Sequence, residues 1–527
     1  MMKKGLTIIM AFFLTLGMSA QQDIEREPVA HLRGCRVGTP NPHFKPHRAP
    51  LLQGGENPYV GNRHQLVVLA SFQDQDFAED HEGALQKWDK IFNAENYTED
   101  SFVGSIHDYF MEQSYGQFNL MFDLLFVELP DVRYRYRSTA THDENSQYMV
   151  DDIVDVLMTQ EIDWSLYDWD GDAFVDQLLI IYAGQGMNAG GDFNTIWPHQ
   201  WWLSQHLNQE TEEPMDYRSY RTVTQDNKEY YVDRYCCLQE VVNISSVRTS
   251  FGTICHEYSH CFGFPDFYDG GGAKVVGSWD LMDNGNYNGM GFRPCNYSAH
   301  ERMFMGWLTP VELSSTATIT DMPALADEPV AYLIRNDGAE NEYYIVENRQ
   351  QRGWDEELPG NGIVVFHIDF DMDLWGSTTT YVNTAKNKRY RIIPANNNSQ
   401  NSASSEWAYP YVMQDVLGND SIANECLTNT STPAATLNNQ NIDGELLMSK
   451  PITSMAVDAY GLASFVFMGD TITSVREVLF NQERETDAPI YDLQGRRLSS
   501  PTNGLYIQGR RLMITPRFCP YASGRKD

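Results

Sequence analysis

The chain has 527 residues, 38 of them basic and 72 acidic, giving a formal net charge of −34. Phosphate backbones and anionic membrane surfaces would be repelled, so nucleic acid is excluded as a partner and calcium becomes the natural counter-ion. The length implies several domains, and the eight cysteines include no CxxC pair of a zinc ribbon or redox site, which leaves their pairing open.

Lys3 and Lys4 precede an apolar run, Ile8 to Leu16, that ends in small residues near Ala20. The run is too short to cross a bilayer and reads as a secretory signal peptide over residues 1–20, and no later run is long enough to span a membrane. The product is expected outside a bacterial cell or on its outer surface. Residues 21–61 are rich in Pro, Arg and His without apolar periodicity, and are expected to form an extended leader or pro-segment.

Regular structure starts at His64 with "HQLVVLASF", a buried strand. Helical spacing follows at Phe102, Val103, Ile106, Tyr109 and Phe110, and again over Gln147 to Met158, where Val150, Ile153, Val154 and Leu157 share a face. "DQLLIIYAG" (Asp176 to Gly184) then reads as a central strand, so residues 62–310 are expected to form an α/β (α+β) domain. Just before it, "YDWDGDAFVDQ" spaces Asp168, Asp170, Asp172 and Asp176 around Gly171. Oxygen ligands in that rhythm suit Ca²⁺, in a partial or structural site because the closing glutamate of an EF-hand is missing. An acidic turn held by Asx hydrogen bonds is the alternative.

The stretch with the most chemistry is "TICHEYSHCFGFPDFYD". His256 and His260 are four apart, so on a helix both imidazoles leave one face, close enough to bind one zinc ion, with Glu257 beside them as a general base. Gly263 accepts a left-handed cap and Pro265 cannot continue a helix, so the chain turns back and brings Asp266 towards the histidines. HExxHxxGxxD is the metzincin arrangement with aspartate as the third ligand, leaving a fourth position for water. Glu301 in "SAHERMFMG" is the competing third ligand, of the gluzincin kind. Downstream, "GSWDLMDNGNYNG" offers Met282 for a methionine turn beneath the ligands, and Tyr287 as an oxyanion stabiliser. Cys35 in the leader is placed to cap the open zinc position of a precursor, or is a free or disulfide-bonded residue.

After Pro310 the pattern changes to short alternating strands, expected to build a β-sandwich over 311–470. Within it His367, Asp369, Asp371 and Asp373 alternate with apolar residues, as on a strand with one wet face. Residues 471–527 carry "YDLQGRRLSS" and "NGLYIQGRRLMI", two short strands around a turn.

Together "GTICHEYSHCFGFPDFYD", "SWDLMD", "NYSAHERMFMGWLTP", "SIHDYFMEQSYGQFNLMFD" and "TIWPHQW" resemble the M6 family of secreted bacterial metallopeptidases, of the immune inhibitor A type. "EYYIVENRQQRGWDEELPGNGIVVFHID" resembles the β-domain that follows the peptidase unit there. The resemblance implies a zinc endopeptidase made as a precursor, with His256, His260 and Asp266 as ligands and Glu257 as base. The closing "YDLQGRRL…GLYI" resembles the sorting region of proteins exported by the Bacteroidetes type IX route. A monomer acting on protein or peptide substrates is expected, with substrate strands adding to an edge near "GGDFNTIWPHQW". The reading from another class is a calcium-dependent adhesin with a vestigial peptidase domain, although a binding module has no use for Glu257.

Overall fold

The computed structural model describes residues 57–469, apart from 139–144, 190–194, 206–219, 242–250, 270–274, 376–380, 385 and 400–403, and the backbone of four short strands between 490 and 514. The signal peptide, the leader with Cys35, and the end of the chain lie outside the described residues. The chain divides into a compact unit through Met468 and a second from Gly469. In the second, Ile490–Tyr491, Arg497–Leu498, Leu505–Gln508 and Arg511–Ile514 make one antiparallel sheet.

The first unit is mixed α/β. Its elements run β1 (Gly61–Ser71), α1 (His81–Asn93), α2 (Ile106–Gln113), β2 (Phe118–Glu128), α3 (Ser146–Leu157), β3 (Leu178–Gln185), β4 (His199–Trp202), a β5–β6 hairpin (Arg221–Gln225 and Lys228–Val232), β7 (Arg234–Val241), α4 (Phe251–Ser259) and α5 (Ala299–Phe304). One sheet has the order β2, β1, β3, β7, β4, all parallel except β4, which runs antiparallel along β7 at the edge. Parallel strands are covered on both faces and therefore read as unbroken apolar runs, as "LVVLA" of β1 and "LLIIYA" of β3 do.

Helix starts follow local capping chemistry. In α2 the Ser105 hydroxyl accepts the N–H of Asp108 while the Asp108 carboxylate accepts the N–H of Ser105. That reciprocal cap starts the helix at Ile106, so Phe102 and Val103, whose spacing predicts helix, precede it. α3 occupies the predicted segment with Val150, Ile153, Val154 and Leu157 buried. α1 was not predicted, although Ala84, Trp88, Ile91 and Phe92 give it a buried face behind the Asp80 cap.

Beyond Pro310 come β8 (Val311–Glu312), β9 (Ala317–Met322), β10 (Tyr332–Asn336), β11 (Ala339–Arg349), β12 (Gly362–Asp369), β13 (Tyr390–Ile392), a β14–β15 hairpin (Tyr411–Gln414 and Asp420–Asn424), β16 (Ile452–Val457) and β17 (Ala463–Phe467). One sheet has the order β13, β12, β11, β10, β8 and another β16, β17, β9. β12 is buried along its whole length because it serves two cores. Val364, Phe366 and Ile368 join the large core of the α/β region, whereas Ile363 and Val365 pack with Ile452, Met455, Phe465 and Phe467.

This corrects the expectation of a wet face at His367. The imidazole is fully buried, with Nε2 2.7 Å from Glu342 Oε1 and Nδ1 accepting from Arg391 Nε at 3.0 Å. Asp369 is also buried and is held by Arg389 and Asn439. Buried polar side chains whose donors and acceptors are all filled by protein explain polar alternation as well as water does.

Candidate metal centre and active site

α4 packs against β7, β4 and the segment Gly285–Gly291, and all nine of its residues are buried. Contact with that segment is so close that a Cβ on Gly252 would sit 1.9 Å from the Asn286 carbonyl oxygen. At His260 the α-helix tightens into a 3₁₀ turn, His260–Phe262, which Gly263 ends at φ +97°, a left-handed conformation that suits glycine. The reversal carries Asp266 back over the helix.

Three side chains meet there. Asp266 Oδ1 lies 3.2 Å from His256 Nε2 and 3.6 Å from His260 Nε2, and the imidazole centroids are 5.0 Å apart. Glu257 Oε2 is 3.9 Å from His260 Nε2. The remaining ring nitrogens are used: His256 Nδ1 donates to the Leu281 carbonyl at 2.8 Å and His260 Nδ1 to the Phe264 carbonyl at 2.7 Å. Donation from Nδ1 leaves the Nε2 lone pair facing the centre in the neutral ring. Asp266 Oδ1 is buried and accepts no hydrogen bond among the described residues, while Oδ2 accepts the Tyr268 hydroxyl at 2.6 Å.

Two imidazole nitrogens and a carboxylate oxygen, all within 4.8 Å of one another, are the donor set of a tetrahedral zinc site with one further position. Electrostatics agree with a cation at that centre. Burial pushes Asp266 up, yet the two imidazoles and Tyr268 outweigh it and hold the carboxyl at about 2. Burial lowers His256, but Asp266 and Glu257 lift it to about 9, whereas burial keeps His260 below its usual value. Among protein groups alone a proton would sit between Asp266 Oδ1 and His256 Nε2, whereas a metal ion takes both of these lone pairs and that of His260 Nε2 at once.

The floor of the site is the turn at Met282. Its side chain is fully buried and its carbonyl accepts the N–H of Phe267 at 2.8 Å, next to Asp266. Asp280 Oδ1 accepts the N–H of Met282, and Asp283 Oδ2 accepts those of Val275, Val276 and Gly277. The turn is thereby fixed, and with it the Leu281 carbonyl that orients His256.

Other expected residues are placed differently. Glu301 is the third residue of α5, where its carboxylate accepts the N–H of Ser298 in a capping box, away from the histidine and aspartate cluster. Burial and Asp280 push it well above the usual carboxylate range. Tyr287, 45% exposed, lies in the segment against which Gly252 packs. Asp168, Asp170 and Asp172 bring oxygens within 4.8 Å of one another, while Asp176 Oδ2 accepts the N–H of Trp169 and is pushed by burial to about 7. Sequence reasoning missed Tyr268 and the Leu281 and Phe264 carbonyls; a tyrosine two residues past Asp266 was the only available signal.

Comparisons with known proteins bear on this geometry. Residues 68–307 match the model of the immune inhibitor A peptidase M6 catalytic domain. Immune inhibitor A of Bacillus thuringiensis subsp. alesti is 24% identical over 299 residues, 49% of this chain and 41% of the relative. Pre-pro-metalloprotease PrtV of Vibrio cholerae serotype O1 is 27% identical over 155 residues, 26% of this chain and 15% of the relative. The chain thus spans about two fifths of the first relative and less than a sixth of the second. Residues 68–307 are thus similar to the catalytic domain of the M6 family of peptidases.

Proposed function

We propose that the chain is a secreted zinc-dependent endopeptidase that cuts extracellular proteins. The observation that carries this reading is the convergence of His256 Nε2, His260 Nε2 and Asp266 Oδ1 beside Glu257. The chemistry zinc supplies when bound there is Lewis-acid polarisation of the scissile carbonyl and of the attacking water. Glu257 removes the water proton and returns it to the leaving amine, which its place beside His260 supports. Met282 and its turn hold the ligands still. Tyr287 is assigned to steadying the oxyanion, a role compatible with its exposed ring. Extended substrate pairs with the edge strand β4.

A calcium ion is proposed for the acidic loop. Among the described residues Asp168 Oδ1 is buried without a hydrogen-bond partner next to Asp170 and Asp172, and Lys228 Nζ lies 3.5 Å from Asp168 Oδ2. This ion would be structural.

The test is digestion of unfolded casein by the leader-processed protein, with Glu257→Gln and with a zinc chelator, beside a zinc assay of the same samples. Cleavage lost to both treatments, with one zinc per chain in the variant, supports the peptidase; a wild type that holds zinc and cuts nothing overturns it.

A further inference from the structure

The turns that carry and support the ligands are gripped from beyond the matched residues 68–307. The Tyr390 ring, on β13, stacks on Phe267 with centroids 3.8 Å apart and planes at 17°, one residue from Asp266. Its hydroxyl donates to Asp280 Oδ2 at 2.8 Å and lies 2.8 Å from Ser298 Oγ. Asp280 holds the Met282 N–H, next to the Leu281 carbonyl that orients His256. One tyrosine therefore touches the supports of two ligands.

Two neighbours complete the grip. Asn383 Nδ2 donates to the Phe267 carbonyl at 2.7 Å and to that of Tyr390 at 2.8 Å, while its Oδ1 accepts the Tyr390 N–H. Lys388 Nζ binds Asp269 Oδ2 at 2.7 Å, closing the far end of the same turn. Asn383 and Tyr390 are fully buried, so their contacts are shielded from water, while Lys388 reaches the buried Asp269 from a partly exposed position.

We infer that Asn383, Lys388 and Tyr390 are positioning residues of the metal centre, setting its affinity by bracing the Asp266 turn and the methionine turn from β13 and the residues just before it. The inference rests on the zinc reading above. Outer-shell partners of this kind fix ligand orientation and typically change metal affinity 10–100-fold.

The test uses the full chain, with zinc affinity measured by competition against a chromophoric chelator and with the cobalt(II) visible spectrum as a second readout. Tyr390→Phe keeps the ring on Phe267 and removes the hydroxyl; Lys388→Met removes the ion pair to Asp269, and Lys388→Arg restores a cation. Lys450→Met, which breaks the distant Lys450–Asp337 pair, controls for general loss of a salt bridge. Zinc affinity about tenfold weaker in Tyr390→Phe and Lys388→Met, with shifted cobalt bands, recovery in Lys388→Arg and no change in Lys450→Met, is the expected result. Affinities within twofold of wild type in both variants, in a wild type that binds one zinc, overturn the bracing and leave the zinc site standing. A wild type that binds no zinc removes both.

Discussion

Tyr268 donates its hydroxyl proton to Asp266 Oδ2 across 2.6 Å, which leaves Oδ1 as the oxygen aimed at the two histidines. Burial and the Asp266 charge push the Tyr268 hydroxyl well above its ordinary value, so it stays a donor at any working pH. Tyr268→Phe should therefore weaken zinc binding about tenfold while the fold is retained, as read by chelator competition and thermal unfolding. Unchanged affinity would mean that Asp266 is held by the backbone alone.

Glu257 is given a proton-transfer role and no metal bond. Glu257→Gln is expected to lower kcat by about 10²–10⁴-fold with zinc content still one per chain, measured by peptide hydrolysis and elemental analysis. Loss of zinc along with activity would make Glu257 a ligand instead.

Asp266 and Glu301 compete for the third ligand position in the sequence, and their surroundings separate them. Asp266→Ala should lose zinc. Glu301→Ala should keep it while losing about 1 kcal/mol or more of stability, because the buried Ser298 N–H loses its acceptor and a buried site is left unfilled. Zinc retained in Asp266→Ala and lost in Glu301→Ala would reverse the assignment.

Glu112 gives a pH signature separate from the site. Burial, only partly offset by Arg302, raises its carboxyl to about 7 from an ordinary 4.5. The folded chain then holds this proton more tightly than the unfolded chain, so its contribution to stability is complete below pH 4.5 and declines as pH rises towards 7. Glu112→Gln does not titrate, so the variant should gain stability relative to wild type between pH 4.5 and 7 and keep that gain above. Melting curves at pH 4.5, 6 and 8 that ran parallel for the two proteins would contradict the shift.

The acidic loop has its own readout. Millimolar calcium should raise the melting temperature of the wild type and leave that of Asp168→Asn where it was, since Asp168 supplies the buried oxygen without a partner. An equal response in both would assign the effect to another site.

Much of the helix that carries His256 and His260 was legible because its signals are local. The spacing of His256, Glu257 and His260, the stop at Gly263 and the return to Asp266 all follow from helix geometry over eleven residues. α3 was legible for the same reason, through period. What was not legible depends on partners distant in the chain. The Nδ1–H of His256 finds its acceptor 25 residues away, and the Asp269 carboxylate finds its donor, Lys388, 119 residues away. His367 was read as wet because alternation shows that two environments differ, without showing that one of them is water; in β12 both are protein. α1 carried a usable pattern that its many charges obscured.

β12 works as a wall shared by two rooms. Val364, Phe366 and Ile368 face one core and Ile363 and Val365 the other, so removing the residues after Pro310 would take β12 away and lay bare the apolar side chains of the α/β core that it covers. Loss of β16 and β17 should be felt at the metal centre through β12 and its neighbour β13, and the two halves should melt in a single transition instead of one after the other. A chain cut to residues 68–307 would then be an aggregating fragment, and its inactivity would say nothing about His256, His260 or Glu257.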